Sequence, residues 1–83
     1  MDANQDIMLT LEDSSRYISR WVFPAEQLGK GVYAFHQAGN LHARHGSLES
    51  VLAAAQEDIL KEAGLPFTAQ NVARIAETRV LQP

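Results

Sequence analysis

Residues 47–65 set the terms on which this chain can fold. Ser47 stands where a helix N-cap hydroxyl accepts a bond from a backbone amide of the first turn. Leu48, Val51, Leu52, Ala55, Ile59, Leu60 and Ala63 then recur at helical spacing and make one apolar stripe. Glu57 and Lys61 sit four apart on the polar side, in the favourable order. Gly64 follows the last periodic residue, where a left-handed backbone suits glycine. Leu65 can then contact Leu60, as a Schellman stop requires. A helix over about 48–63 with such a stripe must lie against something apolar, and in 83 residues only one core can be built.

The remainder of the chain must supply the opposing surface. Thr68 reads as a second N-cap, with Phe67 placed to staple onto Val72, and Val72, Ile75, Ala76 and Val80 extend a helical stripe over about 69–81 before Gln82 and Pro83. Val32–Gln37 and Leu41–His45 flank Ala38-Gly39-Asn40 and read as a β-hairpin over 32–45. A two-residue loop mixes His36 and His45 with Val32, Ala34, Leu41 and Ala43. A three-residue loop groups Tyr33, Phe35, Leu41 and Ala43 on one face and Ala34, His36, His42 and Arg44 on the other. The second split is the more amphipathic and is the one expected, with Asn40 in the left-handed position.

Further upstream, Ile7, Leu9 and Leu11 alternate with Met8 and Thr10 as in a strand. Tyr17–Phe23 is rich in β-formers, although Tyr17, Ile18, Trp21 and Val22 also fit a short helix stopped before Pro24. Two strands are favoured, with Pro24–Gly31 as a loop or a short helical turn. The expected architecture is a single α+β domain over residues 1–83, an antiparallel sheet covered on one face by two C-terminal helices.

Charge is unevenly spread although the net value is only −3. Residues 1–15 hold four acids and no base. Residues 16–46 hold Arg16, Arg20, Lys30 and Arg44 against Glu26 alone, together with all three histidines and five of the six aromatics. A basic, aromatic-rich segment inside an acidic chain admits a nucleic-acid-binding regulator as an alternative reading. The overall acidity opposes it, because non-specific DNA affinity rests on phosphate neutralisation. The helix pair could also form a helix-turn-helix, but its second member offers a groove only Gln70, Asn71, Arg74 and Arg79, with Glu77 among them.

Catalytic motifs find little support. No serine stands in a Gly-x-Ser-x-Gly elbow, and cysteine is absent. Gly29-Lys30-Gly31 lacks the first glycine and the hydroxyl residue of a P-loop. Three histidines within ten residues invite a metal, yet no acid accompanies them on the expected strands, so no metal or cofactor is assigned. Absence of cysteine favours a reducing, cytoplasmic setting. The acidic start is unlike a signal peptide, and no apolar run is long enough to cross a bilayer, so no membrane association is expected.

By elimination the leading expectation is a non-enzymatic protein-interaction module acting as an inhibitor, adaptor or regulatory subunit. It would dock through an exposed hairpin face made by His36, His42 and Arg44, joined by Arg20 if the second strand shares that face. Self-association is a further expectation, because a small open sheet leaves edge strands unpaired.

Overall fold

The computed structural model of the chain describes residues 5–13, 15–37 and 39–81. Asp2, Ser14, Ala38 and the Gln82-Pro83 end, which entered the reading of charge, turn and helix stop, lie outside the described residues. Five strands and two helices follow one another: Gln5–Asp13 (β1), Arg16–Pro24 (β2), Tyr33–Gln37 (β3), Asn40–His45 (β4), Leu48–Ala63 (α1), Ala69–Val72 (α2) and Ala76–Leu81 (β5). A single turn of 3-10 helix, Glu26–Leu28, links β2 to β3. The strands form one antiparallel sheet in the order β4-β3-β2-β1-β5, and α1 packs across one face of it. The α+β class and the helix-on-sheet arrangement are those expected from the sequence.

The centre of the sheet is fixed by a tight turn. Asp13 pairs with Arg16, which leaves two residues between β1 and β2 and sets Leu11 opposite Ile18, Leu9 opposite Arg20 and Ile7 opposite Val22. Pleat alternation then sends Ile7, Leu9, Leu11, Ile18 and Val22 to the same face. There they meet Val51, Ala55, Ile59 and Leu60 of α1, with Phe35 of β3 and Ile75 closing the core. α1 is bounded as its sequence predicts. The Ser47 hydroxyl accepts from the Ser50 amide at 3.1 Å. At the other end Gly64 has φ of 76°, its amide donates to the Lys61 carbonyl, and the Leu65 amide reaches back to Leu60 at 2.9 Å.

Two expectations are corrected. The hairpin loop has two residues, not three: Gln37 pairs with Asn40 and His36 with Leu41. Gly39, with φ of 82°, supplies the positive dihedral that two-residue hairpins need, so turn geometry overrides the more amphipathic pattern. The hairpin also carries a bulge, between Tyr33 and Phe35 on one strand and His42 and His45 on the other. The extra residue returns His45 to the side of Tyr33 and Phe35, and Arg44 takes φ of 76°, a conformation normally left to glycine.

The second correction concerns residues 69–81. Thr68 caps a helix as expected, accepting from the Asn71 amide at 3.2 Å, but that helix is one turn long and residues 76–81 form β5. Ala76, Thr78 and Val80 alternate with Glu77 and Arg79, so the segment carries a period of two beside its helical spacing. Pairing with β1 resolves the ambiguity, because that strand would otherwise leave its ladder groups unmatched beside the core. Phe67, expected to staple onto Val72, remains 52% exposed.

The left-handed stop carries a direct test. A β-carbon at Gly64 meets nothing within 4 Å, so its cost is conformational alone. Gly64→Ala is expected to lower the unfolding free energy by about 1 kcal/mol, read from urea denaturation; a stabilised variant would contradict the assigned cap.

Candidate functional site

α1 covers one face of the sheet, and the side chains that alternate away from it meet on the other. Met8 pairs with Trp21 on one side and with Thr78 on the other, so the three lie in line across β2, β1 and β5. The Trp21 indole N–H donates to Asp6 at 3.0 Å and ties the ring to the neighbouring strand. Phe23 stacks on His36 with ring centres 5.8 Å apart, and His36 stands opposite Leu41, which is 41% exposed. Tyr17, 66% exposed, continues the face beside Glu12 at the far end of the same strands. Met8, Trp21 and Phe23 are half-buried. None of the residues that β1, β2, β3 and β5 place on this face is Lys or Arg.

This band was not singled out from the sequence. Tyr17, Trp21 and Phe23 do share one parity and Arg20 the other, but the expected burial is inverted. The signal that decides it is the polar Glu12-Asp13-Ser14-Ser15 stretch. A two-residue turn there sets Ile18, Arg20 and Val22 beside the β1 aliphatics, and the aromatics are left outside.

The four residues expected to form a docking face are separated. His36 is exposed on the outer face with Leu41. His42 lies on the helix side, its ring 4.6 Å from that of Phe35. Arg44 is exposed at the bulge. Arg20, which was expected to be exposed, is only 9% exposed and points under α1. There its Nε donates to Asp58 at 2.6 Å, its second terminal nitrogen to Glu62, and its first to the Ser19 carbonyl at 2.8 Å. Gln37 donates to the other oxygen of Asp58.

That cluster is structural in its energetics. A buried guanidinium is costly unless each donor is matched, and here three acceptors surround it. Burial alone lowers the Arg20 pKa, but hydrogen bonds and charge from Glu62 and Asp58 more than offset it and leave the pKa raised. The guanidinium therefore stays charged and occupied. Asp58→Ala is expected to cost about 3 kcal/mol in urea unfolding, because it strands Arg20 and Gln37 together. Glu62→Ala, at a half-exposed carboxylate, is expected to cost about 1 kcal/mol or less. Equal losses would show that Asp58 is not the anchor.

On the helix side His42 and His45 form a pair, with Nδ1 of the first 2.8 Å from Nε2 of the second and their rings stacked. Which of the two nitrogens donates is set by the tautomers of the rings. Among the described residues no three of His, Cys, Asp or Glu stand close enough to hold an ion together. The Gly29-Lys30-Gly31 loop is turned inward on itself: the amides of Leu28, Gly29 and Val32 are bonded to carbonyls at Ala25, Glu26 and Gly29. A cavity of about 320 Å³ lies at one end of the core, lined by Ile7, Val22, Tyr33 and Leu48 with Glu26 and Arg79.

Burial, and then repulsion from His42, holds the His45 imidazole below its ordinary value of 6.5. A depressed imidazole favours the neutral native form, so its contribution is present above pH 6.5 and is lost as the pH falls through that value towards the native pKa. NMR titration is expected to place the His45 midpoint below 6.5. The urea midpoint is expected to fall between pH 7.5 and 5.5, less steeply in His45→Gln. A midpoint at or above 6.5 would contradict the stacked, partly desolvated pair.

Comparisons with protein-family models, with curated proteins and with solved structures find no match to this chain.

Proposed function

We propose that this chain is a non-enzymatic protein-interaction module, an inhibitor, adaptor or regulatory subunit, that docks through the outer face of its sheet. The observation that carries this reading is the band of Met8, Trp21, Phe23, His36 and Leu41, which lies on the face that α1 leaves uncovered. A five-stranded sheet has two faces and α1 packs on one. Aromatic side chains left on the other bring large contact areas at low entropic cost, methionine adapts its shape to a partner, and both types are enriched in protein interfaces. The β3–β4 hairpin forms one margin of this surface, so His36 stays within the proposed site. Arg44 stands at its edge, while Arg20 serves the core.

A protein partner fits this face better than a nucleic acid. Phosphate binding needs unpaired cations, and Arg20, the centre of the basic segment, is neutralised by Asp58 and Glu62. The aromatic band itself carries no Lys or Arg from β1, β2, β3 or β5. Among the described residues no helix is long and apolar enough to cross a membrane. The cysteine-free composition supports work in a reducing compartment such as the cytoplasm.

Tyr17 and Leu41 are the most exposed large apolar side chains of the face, so they separate docking from folding. Tyr17→Ala with Leu41→Ala is expected to shift stability by roughly 0.5 kcal/mol per site. The same pair is expected to weaken binding to the protein captured from the native host by about tenfold or more. A variant that folds and binds like the parent would remove the outer face from the site. Steeply salt-dependent binding to random DNA would favour the nucleic-acid reading instead.

A further inference from the structure

The two edges of the sheet differ. β4 is interrupted by its bulge, where Arg44 turns the backbone left-handed, and such an irregularity blunts an edge against further pairing. β5 has no proline, no glycine and no bulge in its pairing with β1, and Ala76, Glu77, Thr78 and Arg79 are all exposed. It also lies to the side of α1, which packs on β2, β3 and β1. Glu77 and Arg79, on the helix side of the sheet, therefore stand in solvent. Among the described residues the ion pair they form is a long one with each other, at 3.6 Å. Among the described residues no strand pairs with its free side, and a regular edge strand of this kind is a template for another strand.

We propose that the occupant of this edge is β5 of a second copy of the chain, in antiparallel pairing about a two-fold axis through Thr78. The charge pattern selects both the partner and the register. Two copies related by an axis normal to the sheet keep their faces aligned, so like faces meet and the axis must pass through a residue. With the axis at Glu77 that acid faces its own copy, and with the axis at Arg79 two guanidinium groups meet; like charges directly opposite are destabilising. With the axis at Thr78, each Glu77 stands opposite the other copy's Arg79, and each Ala76 opposite the other copy's Val80. Opposite charges then pair twice on the helix side, and small and β-branched side chains meet on the outer side. The product is a continuous ten-stranded sheet with both helices on one face and both aromatic bands on the other. This inference is independent of what docks on those bands.

The full chain tests it by sedimentation equilibrium, using charge reversal at two exposed positions. The parent is expected to dimerise in the micromolar range. Glu77→Arg and Arg79→Glu, each alone, set like charges opposite in both pairs and are expected to raise the dissociation constant about tenfold or more. The double exchange, Glu77→Arg with Arg79→Glu, restores complementarity and is expected to return it to near the parent value. An equimolar mixture of the two single variants is expected to form a heterodimer in preference to either homodimer. Because the chain has no cysteine, Thr78→Cys adds a single thiol at the axis, where the two copies' thiols lie within disulfide reach. It is expected to cross-link under mild oxidation far faster than Ala76→Cys or Val80→Cys. A parent that stays monomeric at 100-fold the micromolar range would overturn the proposal. So would single reversals that dimerise like the parent, a double exchange that does not recover, or cross-linking indifferent to position.

Discussion

The pairing of Leu11 with Ile18 across the β1–β2 turn is the contact on which the other features depend. Once two residues separate Asp13 from Arg16, every side chain on the two central strands is assigned a face. Three aliphatics of β1 and two of β2 must then be covered together, and α1, with its own stripe of Val51, Ala55, Ile59 and Leu60, is the element able to cover them. A slip of one residue in β2 would drive Tyr17, Trp21 and Phe23 under the helix and expel Ile18 and Val22. The outer band and the core are thus two results of one register.

Arg20 reinforces that register. It is the polar member of an otherwise aliphatic row, between Ile18 and Val22, and it finds its acceptors only when α1 presents Asp58 and Glu62 over β2. A buried ion pair of this sort adds little net stability relative to an apolar isostere. It does penalise alternative seatings, since any shift of the helix along the strand leaves a charge without partners. Gln37 brings β3 into the same arrangement through the second oxygen of Asp58.

What could be read from the sequence follows from how local each signal is. α1 was legible from end to end, because cap, stripe and stop lie within nineteen consecutive residues and each has one physical meaning. The strand character of β1, β3 and β4 is legible from alternation and turn residues, whereas the β2 segment fits a short helix as well. The faces are less legible, since they depend on loop lengths that differ by one residue. In the β3–β4 hairpin an amphipathic count that takes imidazole as polar favours the wrong loop, because His42 lies flat against Phe35 as an aromatic ring. The helical reading of 69–81 failed because Val72, Ile75, Ala76 and Val80 satisfy a helix, while the need of β1 for a second neighbour is a long-range demand that no local window contains. The common face expected of His36, His42 and Arg44 rests on the β3–β4 loop length and falls with it, whereas Arg20 is turned inward by the separate register of β1 and β2.

The left-handed residue in β4 also bears on how far material of this kind can grow. Cross-β polymers need two active edges on every subunit, one to accept and one to offer a strand. On the β5 pairing proposed above, the bulge at Arg44 leaves the sheet one regular border, and in the language of polymer chemistry such a domain is monofunctional. A monofunctional unit ends a chain at its first addition at any concentration. The backbone dihedral of one arginine therefore acts as a terminator, and replacing the bulge by a regular strand would convert the domain into a bifunctional unit open to filament growth.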